Sequence, residues 1–239
     1  MVLLLLIPVV SWTWIIVMAR DMYGPMTGAS AWMMTLDWDL PHLLLLWAMW
    51  AVMMTGMMLP SAAPLVLLYA AAVRRSSPDA AARRTYALAA GYLAAWTAFS
   101  LAATALQRLL ASLLFVSPMM EAASARVSAV LLLITGVYQW LPLKHACLRA
   151  CQSPLAFLMG RWRNEASGAF RMGLEHGIYC VGCCWALMLL LFAGGVMNIA
   201  VIVFLTAFVA FEKLTSFGRR GAQISGALLI AAGLWMLVR

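Results

Sequence analysis

The sequence predicts an all-α, polytopic transmembrane helical bundle of about seven spans with its N-terminus cytoplasmic. Three observations predict it. The 239 residues are 66% hydrophobic and 10% charged, whereas a soluble domain carries about 25% charged residues. Apolar runs long enough to cross a bilayer recur with few interruptions, and a crossing needs ~20 such residues. The alternating ten-residue strands of a barrel are missing. Residues 1–239 therefore read as a single integral membrane domain whose first partner is the lipid bilayer. The net charge of +8 does not indicate nucleic acid, because the basic residues sit between apolar runs. There they orient helices and meet anionic headgroups.

In chain order the expected spans are 2–19, 41–59, 86–106, 127–143, 178–197, 198–214 and 222–238. The first resembles a signal-peptide core, but it lacks a basic leading segment and a small-residue cleavage site, so it is kept as an anchor. The second continues past Pro60 and Pro64 to Val73. Proline removes a backbone donor, and a kink is expected there. Residues 109–116 are too short to span. Orientation follows from the basic loops. Arg74, Arg75, Arg83 and Arg84 flank one, Lys144, Arg149, Arg161, Arg163 and Arg171 another, and Lys213, Arg219 and Arg220 a third. All three fall on one side of a seven-span chain, which makes that side cytoplasmic. Asp21, Asp37 and Asp39 then face out. Six tryptophans from Trp12 to Trp50 suit an outer interfacial belt. The arrangement depends on a tight turn at Met197–Asn198.

Chemistry concentrates in five cysteines, Cys147, Cys151, Cys180, Cys183 and Cys184. All lie toward the cytoplasmic ends of the fourth and fifth spans, in and beyond a Cys/His-bearing loop, 144–177. A reducing compartment disfavours structural disulfides. Cys147 and Cys151 share one helical face, and His176, Cys180, Cys183 and Cys184 share another. Two such faces meeting would make a thiolate pocket with His176, and with His145 close by. A lone cysteine is usually a small buried hydrophobe. Five within 38 positions, in helical pairs, favour metal or redox chemistry. Thiolates select Cu(I), Zn(II) or iron–sulfur clusters. Met49, Met53 and Met57 form a stripe on the second span. Such a stripe is commonly core packing, but thioethers also bind Cu(I) and hold Zn(II) poorly, which favours copper over zinc. Lys144, Glu212 and Lys213 lie where charges pair or serve function. His42 is a lone outer-side histidine.

The run YQWLPLKHACLRACQSP, from Tyr138 to Pro154, the run GIYCVGCCWALM, from Gly177 to Met188, then GVMN at Gly195–Asn198 and the pair Glu212–Lys213 carry a resemblance. The chain, from Trp47 to Lys213, resembles a bacterial family of predicted metal-binding integral membrane proteins, a domain of unknown function sometimes labelled copper chaperone. The resemblance implies a metal role for Cys147, Cys151, Cys180, Cys183 and Cys184.

The leading expectation is Cu(I) handling through the Cys/His cluster, with the methionine stripe as a relay. It would serve delivery, export or copper-enzyme assembly rather than catalysis, with a soluble or membrane protein as partner. The alternative is an integral membrane redox enzyme, or a subunit of a copper- or thiol-dependent complex. A third reading is a scaffolding subunit whose cysteines only pack. If the thiols share an ion, one sulfur pair between Cys147/Cys151 and Cys180/Cys183/Cys184 must lie near contact at the cytoplasmic surface, with Gly177, Gly182 and Gly136 permitting the approach.

Overall fold

The computed structural model describes all residues except 1, 25, 28, 35–37, 118, 216 and 239; Asp37 thus lies outside the described residues. The described chain is helical, and its sole extended pairing is an isolated bridge between Val116 and Ala122. In order the helices are α1 (Val2–Met22), α2 (Ala29–Met33), α3 (Leu40–Met58), α4 (Ala63–Ser76), α5 (Ala81–Ser112), α6 (Ala125–Tyr138), α7 (Pro142–Gln152), α8 (Pro154–Arg161), α9 (Ala166–Met188), α10 (Leu190–Gly194), α11 (Ile199–Leu214) and α12 (Gly218–Val238).

Among the described residues, five helical runs are long and apolar enough to cross a membrane: Leu4–Met22, Leu40–Ser76, Pro78–Ser112, Ala166–Gly194 and Gly218–Val238. A sixth arises if α6 and α7, bent by 67°, count as one broken span. The expected straight span over 127–143 is therefore two pieces. Pro142 opens α7; it has no backbone N–H to continue the preceding helix. Helix α12 holds the corner, where Gln139 Nε2 donates to Ser225 Oγ at 2.9 Å and Trp140 Nε1 to the Gln223 carbonyl at 2.9 Å. The expected span over 198–214 is the 16-residue α11, about 24 Å long.

Other boundaries move outward. The proline break appears as a 3-10 turn, Pro60–Ala62, between α3 and α4. Residues 109–112 are the last turn of α5. The segment expected as a loop, 144–177, is largely helical, in α7, α8 and the start of α9. Helix α9 begins at Ala166 rather than near 178 because its early face is small. Added Cβ atoms at Gly91 and Gly173 would meet the Phe170 and Leu88 carbonyl oxygens at 1.9 Å, so α5 and α9 touch backbone to backbone. Gly177 faces Tyr92 and Ala95 of α5, and Gly136 faces α12; neither brings α7 toward α9. The expected turn is present. Gly195 takes φ +95°, a conformation open to glycine, and Asn198 caps α11 through Ala200 N and Val201 N.

The tryptophans do not form a simple outer belt. Trp50 is fully buried and donates to Gln107 Oε1 at 2.7 Å. Trp12 donates to the Gly56 carbonyl and Trp47 to the Thr97 carbonyl, so three of the six tie helices together.

Candidate metal centre

Helix α9 carries the centre. Cys180 stands near the midpoint of the 29-residue run Ala166–Gly194, and Cys180, Cys183 and Cys184 are each 1% exposed. The expectation of a surface pocket is corrected accordingly. Because α9 starts twelve residues before the expected span, its thiols fall inside the bundle.

Helix α7 supplies the facing thiols. Cys151 Sγ lies 3.9 Å from Cys183 Sγ, and the Cys151 thiol also interacts with that of Cys180. Two sulfurs bound to one ion sit within roughly 4 Å of each other. Cys147 is buried one turn earlier on α7, and Gly182 permits its approach, since an added Cβ there would meet Cys147 Sγ at 2.8 Å. Tyr138 adds a tie between α6 and α9 by donating to the Gly182 carbonyl. All five cysteines are free thiols. Cys183 and Cys184 donate to the Cys180 carbonyl at 3.1 and 2.9 Å, so both are turned toward backbone. Among the described residues no group of three or more His, Cys, Asp or Glu side chains is already drawn into metal-binding spacing. Ligation by more than two of these thiols thus requires rotation of Cys183 or Cys184 off that carbonyl.

The histidines separate. His176, one turn before Cys180, is buried between Phe157 and Tyr92, with ring centroids 5.0 and 6.0 Å away. Its Nδ1 has no hydrogen-bond partner among the described residues, and it feels the charges of Cys180 and Lys213. His145 is not brought to the thiols. It faces Lys144, Arg149 and Arg219, because residues two apart on a helix point to opposite sides, and Cys147 takes the inward one. Met49, Met53 and Met57 are all buried in the core.

Three residues complete the pocket that the sequence did not assign to it. Lys213 Nζ, from α11, donates to Cys180 Sγ at 2.8 Å and to Ser61 Oγ at 3.2 Å. The Tyr92 hydroxyl, from α5, lies 3.0 Å from Cys180 Sγ and donates to the Met58 carbonyl at 2.9 Å. The Lys213 signal was readable as an intramembrane charge; Ser61 stands in the proline break. Tyr92 has no such signal, since a tyrosine on an apolar helix is ordinarily core. Beside this pocket, Lys144 and Glu212 form a fully buried ion pair at 2.7 Å. Gln152 Nε2 donates to the Glu212 carbonyl at 2.7 Å. Helix α7 is thereby clamped at two points to the end of α11, which carries Lys213.

Fold and site together define an α-helical protein with a buried soft-ligand pocket, shared by α5, α7, α9 and α11. The chain belongs to the PpoB2 family, described as copper chaperone, whose family model matches residues 47–236. This is the family that the cysteine motifs indicate. No curated protein and no solved structure matches the chain.

Proposed function

We propose that this protein is a bacterial inner-membrane carrier of Cu(I) that receives the ion on a buried thiolate pocket and passes it to a protein partner. The observation that carries the reading is the Cys151–Cys183 sulfur pair at 3.9 Å with Cys180 beside it. Cu(I) is content with two thiolates, whereas structural Zn(II) seeks four closed ligands. Cys151 and Cys180 are the two core donors, and Cys183, whose thiol turns to the Cys180 carbonyl, is an auxiliary one. Cys184, Cys147 and the unpartnered Nδ1 of His176 stand next to them as auxiliary donors.

The membrane reading rests on the runs that are long and apolar enough to cross and on what covers them. Leu5, Val9, Val17, Leu228 and Trp235 lie exposed on α1 and α12, as lipid-facing side chains do. The seven-span arrangement takes α11 as a short sixth span and α12 as the seventh, and the basic loops favour an N-terminus in the cytoplasm. Met49, Met53 and Met57 extend along α3 toward Met58, whose carbonyl meets Tyr92. In this reading they give Cu(I) a thioether path through the bundle.

Copper quantification on protein purified from copper-replete cells tests the proposal. Copper should co-purify and vanish in Cys151→Ser/Cys180→Ser. Wild-type protein free of copper, or a variant that keeps it, would end the proposal.

A further inference from the structure

Lys213 is an odd neighbour for a site that takes a cation. The residue is buried, 5% exposed, and its ammonium donates to the sulfur of a core donor. The adjacent Glu212 is already paired with Lys144. The groups facing Lys213 are the thiols of α9, with Ser61 and Tyr92 as its polar neighbours, and its charge is also felt by Glu212 and His176.

Resting on the copper reading above, we infer that Lys213 is a specificity-determining residue, a fixed positive charge that admits monovalent soft ions and rejects divalent ones. Charge sets the preference. Thiolates, not thiols, bind metal. Cu(I) on two thiolates leaves the unit at −1, and the Lys213 ammonium brings the buried site to neutrality. Zn(II) on the same two thiolates is neutral, so Lys213 leaves the site at +1. An uncompensated charge in a low-dielectric interior is strongly unfavourable. Softness cannot make this choice, since thiolates accept both ions. The attraction between ammonium and thiolates is common to both metals and cancels in their ratio. What remains is the repulsion between Lys213 and one extra unit of metal charge. A metal–sulfur bond of about 2.3 Å added to the 2.8 Å Nζ–Sγ distance puts the ammonium within about 5 Å of the ion. At an effective dielectric constant of about 20, one unit charge at that range is worth on the order of 100-fold in affinity.

The test titrates detergent-purified protein with Cu(I) and with Zn(II) against chromophoric chelators. Lys213→Met should lower the Cu(I):Zn(II) affinity ratio by on the order of 100-fold, and Lys213→Arg, which keeps the charge, should leave it near wild type. An unchanged ratio in Lys213→Met that still binds Cu(I) overturns this inference and leaves the copper reading standing. Wild-type protein that takes no Cu(I) overturns both. A measurement on the wild type alone covers the case in which Lys213→Met does not fold. Ag(I) and Cd(II) are both thiophilic but differ in charge, so Ag(I) should bind and Cd(II) should be rejected. Equal affinity for the two overturns the inference.

Discussion

Breaking the buried ion pair is the most direct probe of how the fold holds its pocket. Lys144 and Glu212 meet at 2.7 Å, with side chains 0% and 2% exposed. Lys144→Met or Glu212→Gln leaves the other charge buried without compensation, which costs about 3–5 kcal/mol. For a chain of this length each kcal/mol moves Tm by roughly 2–4 °C, so each single variant should melt about 6–20 °C lower. Lys144→Met/Glu212→Leu removes both charges together. Apolar replacement of a whole buried pair is often neutral, so the double variant should recover most of the loss. The two single losses then fail to add by at least about 2 kcal/mol. Thermal unfolding of the four proteins in one detergent reads this directly. Additive losses, or single variants within about 2 °C of wild type, would refute the reasoning. The same clamp predicts a functional effect. Helix α7 carries Cys147 and Cys151, and α11 carries Lys213, so the single variants should also retain less copper under conditions where they remain folded.

Further outcomes follow from individual residues. Gly173→Ala places a methyl 1.9 Å from the Leu88 carbonyl oxygen; overpacking should cost about 1–3 kcal/mol, read as a lower Tm, and should separate Tyr92 from Cys180. His145→Ala should leave copper retention unchanged, because the charges beside His145 are those of Lys144, Arg149 and Arg219, whereas Cys151→Ser should weaken it; equal effects on metal quantification would contradict the placement. Met49→Leu/Met53→Leu/Met57→Leu should preserve equilibrium Cu(I) binding yet slow loading of protein reconstituted in vesicles from the outer side, measured by a copper-sensitive dye; unchanged loading rates would remove the relay. Copper retention should fall as pH falls, because protons compete for the thiolates and none is bound by a metal in its protonated form; retention that improves on acidification, measured by dialysis, would exclude thiolate ligation.

Much of this was legible in the sequence. Apolar run lengths identified the long helices, and helical spacing placed His176, Cys180, Cys183 and Cys184 on one inward face. The i, i+4 pair Cys147 and Cys151 met that face, with Gly182 making room for Cys147. What was illegible has physical causes. Run length marks where apolar residues stop, not where a helix does, so the Gly91–Gly173 contact that extends α9 back to Ala166 was invisible, and the thiols read as superficial. The 67° bend between α6 and α7 hid in a Pro-Leu-Lys stretch that continues an apolar run. His145 looked equivalent to His176 because both are close in sequence to cysteines, yet a two-residue offset turns it away from Cys147. Lys213 was readable as a costly charge, but its partner was not. Pairing is a tertiary fact, and Glu212, its nearest carboxylate in sequence, belongs to Lys144.

The central claim is that copper sits on thiolates supplied jointly by α7 and α9. X-ray absorption at the copper K-edge of the Cu(I)-loaded protein tests it most directly. The account predicts a reduced-copper edge and a first shell dominated by sulfur, with a sulfur lost in both Cys151→Ser and Cys180→Ser. A shell of nitrogen and oxygen, or a sulfur shell that neither substitution changes, would contradict it.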